Sequence, residues 1–223
     1  MIQITVGINA EGPTDIRFMK SIIKRTFDEI AFECDKDIEI LNINEIRVAK
    51  GKFVETMLEA SRKGVEKYSI SILCIHADAD GKDIGQVIDY SFTPFLRSLS
   101  LQDDSEYCKV IIPIIPIRMM EAWMLADKEL LKKKINALDL QDSLLGIHKK
   151  PETYSNPKAI VEEAIRIANA GKTKRRRYEI GIAELYEDIG LSIGLEALRQ
   201  LPSFRHFEDG VRKAFKQLNY LHK

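Results

Sequence analysis

The stretch Ser69–Asp83, SISILCIHADADGKD, decides the fold. Ile70 to Ile75 is an apolar, β-branched run, the pattern of a strand buried on both faces. It empties into His76-Ala77-Asp78-Ala79-Asp80-Gly81. Asp and Gly are poor strand residues, and Gly81 permits a turn with positive φ. In extended backbone Asp78 and Asp80 point the same way. The stretch therefore predicts two same-facing carboxylates at the carboxyl end of a buried strand, where open α/β sheets bind ligands. Like charges held that close require a proton or a metal ion between them.

Outward from this stretch, strands and helices alternate. Ile2 to Asn9 reads as a strand that ends at Ala10-Glu11-Gly12-Pro13-Thr14-Asp15, where Thr14 or Asp15 caps a helix from Ile16 to about Ala31. Asp37 to Val48 is a strand with ragged alternation, followed by a helix from Lys52 to Lys67. Beyond Asp83, a helix from Ile84 to Leu99 is expected to break at Thr93-Pro94. Lys109 to Ile117 is an apolar strand whose prolines, Pro113 and Pro116, mark either an edge position or an end to regular pairing. This alternation predicts a βαβ series and a mainly parallel sheet. From Arg118 the pattern turns helical, over Met119–Asn136, Pro157–Ala170 (with Asn156 as N-cap), Ile180–Ile189, Leu195–Leu201 and Ser203–Tyr220. The expected fold class is α/β, an open, mainly parallel sheet with helices on both faces plus a C-terminal helical region. Residues 1–117 form the core, and 118–223 pack on it as one compact unit.

Bulk composition excludes several classes. Lys+Arg and Asp+Glu balance at 34 each, so a nucleic-acid partner would have to use a local basic surface. Cys34, Cys74 and Cys108 have neither zinc spacing nor a disulfide framework, and read as reduced thiols of a cytoplasmic protein. The N-terminus reads as a strand and not as a signal peptide, and no apolar run approaches the ~20 residues of a membrane span.

Four acidic residues fall at strand ends on one edge of the expected sheet. Glu11 follows the first strand and Asp78 and Asp80 the third; Glu121 lies past the next, in the first turn of a helix. Hard oxygen ligands converging on one edge suit Mg²⁺ or Mn²⁺ and metal-assisted phosphoryl chemistry. Arg118, Lys158 and the basic run Lys172–Arg177, with Lys174, Arg175, Arg176 and Arg177, are candidate phosphate contacts; solvated charge is the alternative for each. His76 is either a donor to the acidic pair or a packed strand-end residue. Asp83 reads as a helix cap.

Ala10-Glu11-Gly12-Pro13-Thr14-Asp15 resembles the first motif of the Toprim (topoisomerase–primase) superfamily. Asp78-Ala79-Asp80-Gly81 resembles its Asp-x-Asp motif after strand three. Pro116-Ile117-Arg118-Met119-Met120-Glu121-Ala122-Trp123, Asn156-Pro157-Lys158 and Leu201-Pro202-Ser203-Phe204 resemble the small bacterial Toprim-like proteins of domain of unknown function 4276, related to OLD-family and RloB-like nucleases. The resemblance implies a Toprim-like fold and a Mg²⁺-dependent nuclease of DNA or RNA in bacterial anti-phage defence. It implies Glu11 as general base or metal ligand, Asp78 and Asp80 as Mg²⁺ ligands, and Glu121 completing the site.

No P-loop Gly-x-x-x-x-Gly-Lys-[Ser/Thr] occurs, so an ATPase partner would be a separate chain. The alternative function is a non-catalytic metal- or nucleotide-binding subunit of such an ATPase complex; a homodimer is a further expected assembly. Asp78-Ala79-Asp80-Gly81 also matches the Asp-x-Asp-Gly of HAD-type phosphatases. Lys82, however, stands where that class has Thr or Val, and that class carries its motif on the first strand. An EF-hand fails, because Asp83 sits where the loop needs Gly.

Overall fold

The computed structural model describes residues 1–81, 83–170 and 181–221. Six strands are described: β1 (Ile2–Ile4), β2 (Val6–Asn9), β3 (Ile38–Ile40), β4 (Asn44–Glu45), β5 (Ile72–His76) and β6 (Ile111–Ile114). The described α-helices are α1 (Pro13–Ala31), α2 (Phe53–Tyr68), α3 (Ile84–Val87), α4 (Thr93–Ser100), α5 (Glu121–Met124), α6 (Lys128–Lys134), α7 (Pro157–Ala170), α8 (Ile182–Ser192), α9 (Leu195–Leu198) and α10 (Pro202–Gln217).

All described pairings are parallel. A four-stranded sheet has the order β4-β2-β5-β6, and β1 pairs with β3 alongside. β5 lies inside the sheet, and all five of its residues are buried. Its side chains alternate between two cores, as strand geometry requires. Ile72 and Cys74 join a cluster with Phe18, Ile22 and Phe27 of α1 and with Phe204, Phe207 and Phe215 of α10. Leu73 and Ile75 join the other, with Met57 and Ala60 of α2 and Phe95 and Leu99 of α4. Helices thus cover both faces. The first cluster also takes in Trp123, Val161 and Leu185, so the C-terminal helices share the core of the sheet.

Several boundaries differ from the sequence expectation. The first strand breaks at Thr5, and the Thr5 carbonyl accepts from the Ser71 amide instead of continuing the ladder of β1. The stretch 37–48 divides in the same way into β3 and β4. Pro94 does not end its helix. A π-turn over Ile88–Phe92, closed by the Thr93 amide on the Ile88 carbonyl, precedes α4 and places Pro94 in that helix's first turn, where a missing N–H costs least. The helix expected over Met119–Asn136 is interrupted, and Asp127 starts α6 by accepting from the Leu130 amide. β6 is an edge strand, the first of the two outcomes its prolines left open, with Pro113 opposite Ile75. Asn156 caps α7 by accepting from the Ala159 amide.

Helix α8 seats against α1 at Gly190. A Cβ there would lie 2.2 Å from the Phe18 carbonyl oxygen, so only glycine permits this approach. The contact matters for function because it places Tyr186, one turn earlier on α8, beside α5.

Candidate functional site

The carboxyl ends of β2, β4 and β5 open into one cleft of about 540 Å³. Glu11 and Gly12 line it from the loop after β2, Arg47 and Lys50 from the loop after β4, and Asp78 and Asp80 from the loop after β5. This is the sheet edge at which the sequence placed its carboxylates.

Asp15 was legible only as a cap. Gly12 is the N-cap of α1, and Asp15 at the third helical position accepts from the Gly12 amide at 2.9 Å. The same turn carries the Asp15 carboxylate back over the end of β5. There Asp15 Oδ2 lies 3.9 Å from His76 Nδ1, while Asp78 Oδ1 lies 3.2 Å from His76 Nε2. The His76 side chain is only 1% exposed. Neither ring nitrogen makes an aligned hydrogen bond, and the buried Asp78 Oδ1 has no hydrogen-bond partner. The attraction between this imidazole and its two carboxylates is therefore chiefly electrostatic.

The charges reinforce one another. Burial raises the Asp15 carboxyl above its ordinary value, opposed by His76 and the Gly12 amide and aided by Asp78 and Glu11. Burial alone would lower His76, but Asp78, Asp15 and Glu11 outweigh it and hold the imidazole above its ordinary value. Both groups therefore bind protons more tightly folded than unfolded. Their stabilising effect is fullest in acid. It is lost as pH rises above 3.8 through the raised value of Asp15, and above 6.5 through that of His76. Between about pH 4 and about pH 8 the melting temperature should fall more steeply in the wild type than in an Asp15→Asn/His76→Asn double variant. Differential scanning fluorimetry across that range checks it, and equal slopes would refute the electrostatic account.

Asp80 departs from the expected geometry. Its φ is 48°, followed by 88° at Gly81, so the chain leaves extended backbone after Ala79. The alternation that would have pointed Asp78 and Asp80 alike ends there, and Asp80 is exposed on the turn instead of forming a matched pair with Asp78. The Ala77, Ala79 and Asp80 amides still donate to the carbonyls of Ile114, Pro116 and Arg118, which fixes the loop against the chain after β6. Arg118 itself has a φ of 72°, and a Cβ on Gly81 would meet its Nη1 at 2.6 Å. Its guanidinium thus lies over the Asp80-Gly81 turn and makes no ion pair among the described residues.

Glu121 does not line the cleft. It stands in the first turn of α5, 6% exposed, and accepts a short hydrogen bond from the Tyr186 hydroxyl. Burial, and then Glu121, raise the Tyr186 hydroxyl well above its ordinary value, so it stays a donor; Asp15 adds to the effect. Glu11 is open to solvent, 77% exposed, with Lys50 Nζ at 3.7 Å. Lys158 is exposed in the first turn of α7. Lys174, Arg175, Arg176 and Arg177 lie outside the described residues. Asp83 caps α3, accepting from the Gln86 amide at 2.7 Å. Tyr186 had no sequence signal, because nothing local links it to Glu121 65 residues away.

The donor set fits a hard divalent cation in kind. It offers carboxylate oxygens, one buried without a hydrogen-bond partner, in a cluster whose negative charges oppose one another. It is not drawn together around an ion. Among the described residues no three His, Cys, Asp or Glu side chains stand close enough to hold one. Glu11 is directed to Lys50 and Glu121 to Tyr186.

None of the described helices is long and apolar enough to cross a membrane. Comparison with curated proteins and with solved structures returns no match. The family described as domain of unknown function (DUF4276) matches residues 10–212, from the residue before Glu11 to well inside α10. That match takes in the cleft, Glu121, Tyr186 and nearly the whole chain, which therefore belongs to the DUF4276 family.

Proposed function

We propose that this chain is a metal-dependent phosphodiester hydrolase of Toprim type, acting on DNA or RNA in bacterial anti-phage defence. The observation that carries this reading is the acidic cleft at the carboxyl edge of a parallel sheet, with Glu11, Asp78 and Asp80 lining it and Asp15 and His76 behind. Asp78, Asp80 and Glu11 are the residues to hold Mg²⁺ or Mn²⁺. Such an ion, when bound, supplies charge neutralisation at the scissile phosphate and eases ionisation of water. Glu11, open to solvent, is suited to take the proton of the attacking water. Water oxygen bonds to phosphorus, the bridging P–O bond breaks, and the departing oxygen is protonated. His76 holds Asp78 from behind, and Arg118 is available above the Asp80 turn to meet a phosphate oxygen.

Incubating the purified protein with plasmid, single-stranded DNA and tRNA, in Mg²⁺ or Mn²⁺ and in EDTA, tests this. Cleavage that depends on the divalent ion is expected. A second reading is a non-catalytic metal- or nucleotide-binding subunit that works with a separate ATPase chain; carboxylates that stand apart offer less support for catalysis than for such a role. Calorimetric Mg²⁺ binding with no cleavage of any substrate would select it. Neither binding nor cleavage would overturn both.

A further inference from the structure

The β4 side of the cleft has a chemistry that the acidic residues do not use. β4 is one strand from β2 and two from β5, so it lies roughly 10 Å from the Asp78 loop, about the reach from a phosphate across its sugar to the far edge of its base. This side is apolar at its floor, with Ile46, Val48 and Met57, and Phe53 lies half-buried among them. The Phe53 ring is fixed from behind by edge contacts with Phe92 at 5.2 Å and Phe95 at 6.3 Å.

Polar groups here lack partners. The Thr56 hydroxyl lines the cleft, buried, with no hydrogen-bond partner. Helix α2 begins at the same place, and its N-cap, Lys52, makes no side-chain capping bond, although Glu55 in the first turn offsets part of the helix's positive end. Arg47 is already bound in two-pronged fashion by Glu45, at 2.5 and 2.9 Å. Lys50 is 84% exposed, and its Nζ stands 3.7 Å from Glu11 Oε1, a long contact that leaves the ammonium room to meet an anion as well.

An aromatic and aliphatic floor, an orphaned hydroxyl and an exposed lysine beside carboxylates match one ligand class. We propose that this side of the cleft binds a nucleoside phosphate unit. The base packs on Phe53, Val48 and Met57, the Thr56 hydroxyl meets its polar edge, and the phosphate lies between Lys50 and the Asp78 loop. The unit comes either from an unpaired strand or from a free nucleotide. A cleft of about 540 Å³ is of small-ligand size and suits one unpaired nucleotide unit better than a stacked base pair. The inference rests on the proposed function for the orientation of the phosphate, and it narrows the substrate to unpaired nucleic acid.

The test is fluorescence anisotropy in EDTA, which needs no metal and no turnover. The probes are a labelled single-stranded 12-mer of DNA, its RNA counterpart and the DNA duplex, with AMP as competitor. Single strands should bind more tightly than the duplex. Phe53→Leu should weaken binding by about 10-fold, in the range of lost base stacking, and Thr56→Val, which preserves shape, by a few-fold. Melting temperatures of both variants guard against unfolding. Competition by AMP assigns the site to a free nucleotide unit as well; no competition assigns it to the strand. Equal or tighter duplex binding, or affinities unchanged in both variants, overturns the proposal. Strand binding in EDTA without cleavage in Mg²⁺ would refute the hydrolase and leave the subsite. Metal-dependent cleavage indifferent to both variants would do the reverse.

Discussion

Asp78→Ala should reduce divalent-dependent cleavage by about 10³-fold or more while leaving the fold intact. Loss of several kcal/mol of transition-state stabilisation at a metal site corresponds to about that factor. Asp78 is singled out because it combines three properties. It lines the cleft, its side chain is only 24% exposed, and its Oδ1 has no hydrogen-bond partner to give up. The loss has two opposed parts: Asp78 works against burial of the Asp15 carboxylate, and it is first among the carboxylates that hold His76 above its ordinary value. Without added metal, Asp78→Ala should therefore melt somewhat below the wild type where His76 is protonated and close to it at higher pH, while remaining folded. Mg²⁺ should stabilise the wild type and not the variant, since only binding to the folded state shifts the equilibrium. Asp78→Asn keeps the shape and removes the charge, and should behave like the alanine variant if charge is what matters. Glu121→Gln should lose less than about tenfold, a smaller loss than general acid–base removal gives. Its carboxylate accepts from Tyr186 and does not face the cleft. Single-turnover cleavage assays with thermal melts decide the matter. Undiminished cleavage in Asp78→Ala would remove this residue from the site.

The parallel sheet was legible because β5 is buried on both faces and therefore reads as a continuous apolar run. Pro113, a residue that cannot donate, left β6 either an edge position or an end to pairing, and the sheet order settles it as the edge. The candidate cleft was legible where position follows from topology. Glu11 and Asp78 follow neighbouring strands of a parallel sheet, which puts both at its carboxyl edge. What could not be read depends on contacts far apart in sequence. Asp15 has the local signature of a helix-start residue, and only the approach of β5 to α1 makes it a neighbour of His76. Glu121 looks like a strand-end ligand until α8, held close by Gly190, brings Tyr186 to it. Asp80 was misjudged because alternation assumes extended backbone, and Gly81 allows the turn to begin one residue early with positive φ.

Trp123→Ala should cost about 3–5 kcal/mol, the range for truncating a large buried aromatic. In a chain of this size that is a fall of roughly 6–20 °C in melting temperature. Trp123 is 1% exposed, edge-on to Phe204 at 5.3 Å and tilted against Phe207 at 6.4 Å. Its Nε1 donates to the Ser203 hydroxyl at 2.7 Å, and that hydroxyl donates to Glu152. The Ser203 amide donates to the same carboxylate, so Glu152 closes the start of α10. Burial raises the Glu152 carboxyl even as the Ser203 hydroxyl and amide oppose it. Truncation therefore opens a cavity and removes one end of a buried polar chain. The two stretches Met120–Trp123 and Leu201–Phe204, conspicuous in the sequence, meet here through packing and hydrogen bonds, not at the cleft. Trp123 shares the four residues of α5 with Glu121, so its loss should also loosen the Tyr186 contact. Ser203→Ala removes only the polar link and should cost about 1–3 kcal/mol, the penalty for leaving a buried group unsatisfied. Trp123→Phe keeps most of the packing and should fall between wild type and Trp123→Ala. Thermal and urea unfolding of the three variants gives the ordering. A Trp123→Ala protein as stable as the wild type would mean that the C-terminal helices are held to the sheet by something other than this aromatic junction.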